Sequence, residues 1–119
     1  MGNERFQLQN LYTENVHAAH EAFRVRDLPV LAKLFLKQGE IATEMYKING
    51  GDNWDLRIYG SYNAAGGVLE SIGDFQNASI AYGLALDSCK RIAADRSKEW
   101  QKNIDHLEFL VKRVDGYLI

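Results

Sequence analysis

The sequence predicts an all-α fold of five antiparallel helices, on three observations. Apolar residues recur at spacings of three and four along five stretches, and no stretch keeps the alternation of a strand. Proline, which breaks helix interiors, occurs once in 119 residues. The corners between the stretches are short, so consecutive helices must lie side by side and run in opposite directions. Each helix has about 20 residues and is therefore about 30 Å long. Five matched rods can form an up-down bundle or a stack of hairpins, and spacing alone does not choose between them.

The first helix is expected over about 4–25. Its apolar stripe is Leu8, Leu11, Ala18 or Ala19, Ala22 and Phe23. Arg26-Asp27 breaks it. Asp27 is placed to cap the second helix, and Pro29 falls in the first turn, where a missing N–H costs nothing. The second helix runs to about Ile48 on Leu31, Leu34, Phe35, Ala42, Met45 and Tyr46. Gly39 lies inside it. A mid-helix glycine costs about 1 kcal/mol against alanine, so a close approach or a bend is expected there. Asn49-Gly50-Gly51-Asp52 stops the chain and restarts it, with Asp52 as the next cap and Asp55 favouring the positive end of the dipole. The third helix carries Trp54, Ile58, Tyr62, Ala65 and Leu69 and ends at Gly73-Asp74. The fourth spans about 75–94. The fifth spans about 97–118 on Trp100, Ile104, Leu107, Val111 and Val114.

At 13.5 kDa the chain fits one domain. Area scaling gives about 6,500 Å² exposed when folded, so about two-thirds of the extended-chain surface is buried. That is enough core to fold without staples. A formal net charge of -2 gives no pull on a polyanion, so nucleic acid is not an expected partner. No apolar run approaches the roughly 20 residues that cross a bilayer, and residues 1–10 lack a signal-peptide core. Met1-Gly2-Asn3 opens like a myristoylation site, but Phe6 stands where serine or threonine belongs. The single cysteine, Cys89, excludes an internal disulfide and suits a reducing, cytoplasmic setting.

The corners Val25-Arg26-Asp27-Leu28, Ile72-Gly73-Asp74-Phe75 and Val114-Asp115-Gly116-Tyr117 are alike and recur every 42–47 residues, a spacing at which helical hairpin repeats are suspected. Around the middle corner, Tyr62, Ala65-Gly66, Leu69, Gly73-Asp74-Phe75, Ala78, Tyr82 and Ala85 follow one another in an order that resembles the tetratricopeptide repeat. Gly66 and Ala78 would let two helices approach, with Tyr62 and Tyr82 filling the space beside them. Ala65 and Leu69 depart from the family's usual leucine and tyrosine. Lys90 replaces its closing proline, and the hairpins exceed the family's period of about 34. The resemblance covers about 30 residues. It implies a right-handed α-solenoid: one domain over 1–119, with hairpins at about 4–48 and 53–94 and a capping helix at about 97–118.

In that family the first helix of each hairpin lines a concave groove. The resemblance thus implies a partner-binding groove of His17, His20 and Arg24 (with Thr13), Asn63, Gly67 and Glu70 (with Gly60), and Lys102, His106 and Lys112 (with Asp105 and Phe109). Gly60 and Gly67 would leave the middle helix bare, with room for a ligand over Asn63, and Phe109 would be an apolar anchor. A cationic ligand would bind more weakly as the histidines protonate.

Other chemistry is weaker. Glu14, His17 and His20 share a helical stripe and form one Glu-x-x-His half-motif, where a di-iron bundle needs two. Cys89 adjoins Lys90 and Arg91, which would lower its pKa, but no histidine is placed to activate it. Lys98, Lys102, Lys112 and Arg113 are interleaved with Asp105 and Glu108, as on a solvated helix face. No phosphate loop, CxxC, HExxH or GxSxG is present. The expected function is therefore non-enzymatic and cofactor-free: a module holding a protein or peptide segment. Two rivals stand beside it, a self-assembling homodimeric domain and a small metal-binding bundle.

Overall fold

The computed structural model describes the backbone of residues 2–50 and 52–119, and the side chains of 4–50, 53–94 and 99–119. The described residues are helical apart from corners and the last residues. The elements are α1 (Gly2–Arg24), α2 (Leu28–Asn49), α3 (Asp52–Ser71) and α4 (Phe75–Gly116). Met1 and Gly51, and the side chains of Gly2, Asn3, Asp52 and Lys98, lie outside the described residues. The opening motif and the Asp52 cap therefore stay as sequence expectations.

The fourth and fifth expected helices are both present, joined without a helical break. A straight helix of 42 residues would be about 63 Å long, yet the greatest extent of the molecule is 46 Å. The two ends of α4 meet instead. Phe75 stacks on Tyr117 with centroids 4.5 Å apart, and the Ser79 hydroxyl donates to the Asp115 carboxylate. Helix α4 is thus two antiparallel arms, an outgoing arm (75–94) and a return arm (99–116).

The order is α1 against α2, α2 against α3, and α3 against α4. Across α3 and the return arm, Tyr59 meets Asn103 and Glu70 meets Arg113. Both pairs advance together along the chain, so these two helices are parallel. Tyr12 on α1 meets Trp54 on α3 edge-on, with centroids 5.6 Å apart at 87°, and Tyr59 on α3 meets Trp100 on the return arm at 5.4 Å and 88°. Helices α1, α3 and the return arm therefore follow one another through the same aromatic joint.

The corners repeat as closely. Asp27 and Asp74 cap α2 and the outgoing arm, each accepting from the backbone N–H three residues on at 3.3 Å. The backbone N–H of Asp27 donates to the carbonyl of Ala22, and that of Asp74 to Leu69, both at 2.9 Å. The residue before each cap is left-handed: Gly73 has φ 82 and Arg26 has φ 61. The third expected corner does not form this way. Gly116 stays helical, and the N–H of Tyr117 bonds back to Val114 at 3.1 Å.

The core runs through Ala42, Met45, Ile58, Ala65, Leu69, Ala78, Ala85, Leu107 and Val114. Close approach is enforced by two glycines. A Cβ on Gly39 would stand 2.6 Å from Cζ of Tyr62, and one on Gly66 would stand 2.5 Å from Cδ1 of Tyr82. The stripe expected on α1 needs correction. Leu11, Ala18 and Phe23 are exposed, and the inward face is Leu8, Tyr12, Asn15, Ala19 and Ala22. Asn15 holds its place because its Nδ2 donates to the Leu34 carbonyl at 2.7 Å. A polar residue at a core position shifted the apparent stripe.

Candidate functional site

The expected groove residues fall on α1, α3 and the return arm, whose common outer surface is the candidate site. On α3 the buried stripe leaves Leu56, Arg57, Gly60 and Gly67 exposed, with Asn63 half-buried. A Cβ on Gly60 would meet nothing within 4 Å, and one on Gly67 only the Tyr82 hydroxyl at 3.9 Å. Space for a side chain is therefore open at these two positions of α3.

Two clefts lie along α1. The first, about 240 Å³, is lined by Val16, Ala19, His20, Phe23, Phe35 and Gln38. Its floor comes from α2, tied to α3 where Gln38 Nε2 donates to the Ser61 hydroxyl at 3.0 Å. The second, about 460 Å³, is lined from α1 by Gln9, Asn10, Tyr12, Thr13, Val16 and His17, and from α3 by Trp54 and Arg57. Val16 belongs to both, so the clefts adjoin there. His20 faces the apolar one and His17 the polar one.

Not every expected contact is free to meet a partner. Glu70 is mostly buried, and its Oε1 accepts from the Tyr82 hydroxyl at 3.0 Å and from Arg113 Nη2 at 2.7 Å. The Arg113 guanidinium holds the Glu70 carboxyl below its ordinary range. Burial, then Glu70 itself, pushes the Tyr82 phenol up to about 12. Glu70 is thus a clamp between α3, the outgoing arm and the return arm. Arg24 forms a two-pronged pair with Glu21 at 2.6 and 3.0 Å, in full solvent. The Thr13 hydroxyl donates into its own helix, to the Gln9 carbonyl.

Lys102, Asp105, His106, Phe109 and Lys112 are all exposed on the return arm, on the far side of α3 from α1. The register that joins Tyr59 to Asn103 and Glu70 to Arg113 sets Asn63 level with His106. Phe109 is 58% exposed with Arg113 over its ring at 5.6 Å, so it is an outward aromatic rather than core. The expected residues therefore separate into an α1 set (His17 and His20 at the clefts, Arg24 in solvent) and an α3–return-arm set (Asn63, Gly67, Lys102, His106, Lys112).

Two readings of single residues change. Burial pushes the Cys89 thiol up, against the lowering expected from Lys90 and Arg91. Arg91 is turned instead to the buried Asp55, whose Oδ1 accepts from its Nε at 3.0 Å, while the Ser88 hydroxyl donates to the Asp55 carbonyl at 2.7 Å. Among the described residues, no three His, Cys, Asp or Glu side chains come together as metal ligands. No helix among them is long and apolar enough to cross a membrane.

Sequence reasoning passed over Arg57. Its guanidinium lies 4.3 Å from the Trp54 ring centroid and 5.3 Å from that of Tyr12. The available signal was its position three residues after Trp54, on the same edge of α3. No family model, curated protein or solved structure matches this chain.

Proposed function

We propose that the chain is a non-enzymatic, tetratricopeptide-like interaction module that holds an extended peptide segment along α1 and α3. One observation carries the reading: two clefts share Val16 on α1, one apolar and floored by α2, the other reaching α3 at Trp54 and Arg57. An extended peptide can lie along such adjoining clefts, and converging side chains on their walls give it specificity. The recurring Tyr–Trp joints and matched Asp caps support the resemblance to hairpin stacks. The lone, buried thiol supports a reducing compartment such as the cytoplasm.

Selection from a random peptide library displayed on phage tests the proposal. Peptides that bind should lose at least tenfold in affinity to a His17→Ala/His20→Ala double variant or to Gly60→Leu, which adds bulk one turn beyond Arg57. Binders indifferent to all three changes would place the interaction elsewhere and remove the groove reading.

A second reading, self-association, is favoured by exposed apolar side chains away from the clefts, including Ile80 at 57% and Leu84 at 39% on one turn of the outgoing arm. The accessible surface is 7283 Å², above the roughly 6,500 Å² of a compact monomer of this mass. Sedimentation velocity separates the two. A stable dimer that cannot take selected peptides favours assembly, and a monomer that takes them favours capture.

A further inference from the structure

We infer that Arg57 selects the groove's ligand: a peptide whose carboxylate side chain pairs with Arg57 while a bulky apolar side chain about three residues away enters the cleft between Phe23 and Phe35. This rests on the groove reading above and adds the chemical class of the occupant.

Arg57 is a presented cation. Its planar group lies against Trp54, which is 7% exposed and is itself braced edge-on by Tyr12. A guanidinium stacked by its face keeps its N–H edge free, and that fork fits a carboxylate in two-pronged fashion. The stack also fixes the side chain before any ligand arrives, so little ordering remains to be done on binding. Three other arginines have found their anions: Arg24 pairs with Glu21, Arg91 with Asp55 and Arg113 with Glu70. Among the described residues Arg57 has no ion pair, and no Asp or Glu lines its cleft. Its neighbours there are Gln9, Asn10, Thr13 and His17, all able to bond a carboxylate or the peptide backbone beside it.

The adjoining cleft fixes the second half. Its walls are Val16, Ala19, Phe23 and Phe35, with Phe23 56% exposed although it is a large aromatic. From Thr13 in the polar cleft to Ala19 in the apolar one is six residues of α1, or about 9 Å. A peptide in the extended polyproline II form advances about 3.1 Å per residue with three residues per turn, so side chains three residues apart share one face and stand about 9 Å apart.

The test uses capped decapeptides in a Gly/Ser host carrying Asp-Gly-Gly-Phe or the reverse order, each beside a twin with Asn for Asp. The readout is the indole N–H signal of Trp54, with that of Trp100 as an internal reference. One Asp peptide should shift Trp54 saturably, its Asn twin should bind at least tenfold more weakly, and Arg57→Gln should erase the difference while Trp100 stays in place. Equal binding of the Asp and Asn peptides, with Trp54 shifted, would overturn the carboxylate assignment and leave the groove standing. No shift with either peptide would also overturn it, and the library selection then decides the groove on its own. The Asp and Asn comparison on the unaltered protein does not depend on the variant folding.

Discussion

The first and second hairpins place the same joint in two different states. In the second, Gly66 on α3 receives the ring of Tyr82, which is 3% exposed and sealed by its bond to Glu70. In the first, the positions 47 residues earlier are Ala19 and Phe35. They belong to one apolar cluster, but Phe35 is only partly buried and both line an open cleft. A methyl group for a hydrogen holds the helices slightly apart, and a ring without a hydroxyl has no clamp to close. The tight joint closes the two helices on each other, and the loose one leaves an open cleft between them.

The largest expected effect breaks the tight joint. Gly66→Ala would set a Cβ 2.9 Å from Cγ of Tyr82, at the base of the ring, where the side chain cannot swing away. Overpacking of this kind costs about 1–3 kcal/mol. The roughly 1 kcal/mol that alanine gains in helix propensity offsets only part of it. Thermal unfolding should show a net loss of stability, and an unchanged midpoint would mean that the joint is looser than its geometry.

Tyr82→Phe makes the second hairpin resemble the first. Loss of the hydroxyl bond to Glu70 should cost about 1 kcal/mol in denaturant unfolding. It should also alter the alkaline limb. The folded-state pKa of Tyr82 is raised to about 12 from an ordinary value near 10. Its stabilisation is therefore fully present below about pH 10 and is lost as pH rises towards 12. A pH series of urea midpoints should be flatter there in the phenylalanine variant.

Two smaller changes sharpen the comparison at the corners and on α3. Arg26 takes the left-handed conformation that Gly73 takes at the matching corner. Left-handed backbone costs an ordinary residue about 1–2 kcal/mol, and glycine's extra freedom when unfolded returns part of that. Arg26→Gly should thus gain roughly 0.5 kcal/mol, with Gly73→Arg losing stability. Gly60→Ala meets open space and should gain up to about 1 kcal/mol from helix propensity. If the same change weakens selected peptides, this face of α3 is a binding surface, and if it does not, the strand of peptide runs elsewhere.

The helices and most of the core were legible because Trp54, Ile58, Tyr62, Ala65 and Leu69 state their face plainly. The Asp27 cap and the tight place at Gly39 were legible from local rules as well. Asn15 and Asp55 were not, since a buried polar residue is licensed only by distant partners, here Leu34, Ser88 and Arg91. The division of the groove was hidden for the same reason. Glu70 reads as a free carboxylate until Arg113, 43 residues later, is brought beside it. Arg57 reads as an ordinary surface charge until Tyr12 arrives from another helix.

The matched caps at Asp27 and Asp74 bear on how such a chain can grow. A segment that starts and ends at equivalent hydrogen-bonded corners can be copied in tandem with each copy meeting ends it already accepts. Inserting a duplicate of residues 28–74 after Asp74 should lengthen the protein by one unit, with the same helical signal per residue and a longer groove. Loss of cooperative unfolding in that product would show that the corners match in geometry without being interchangeable.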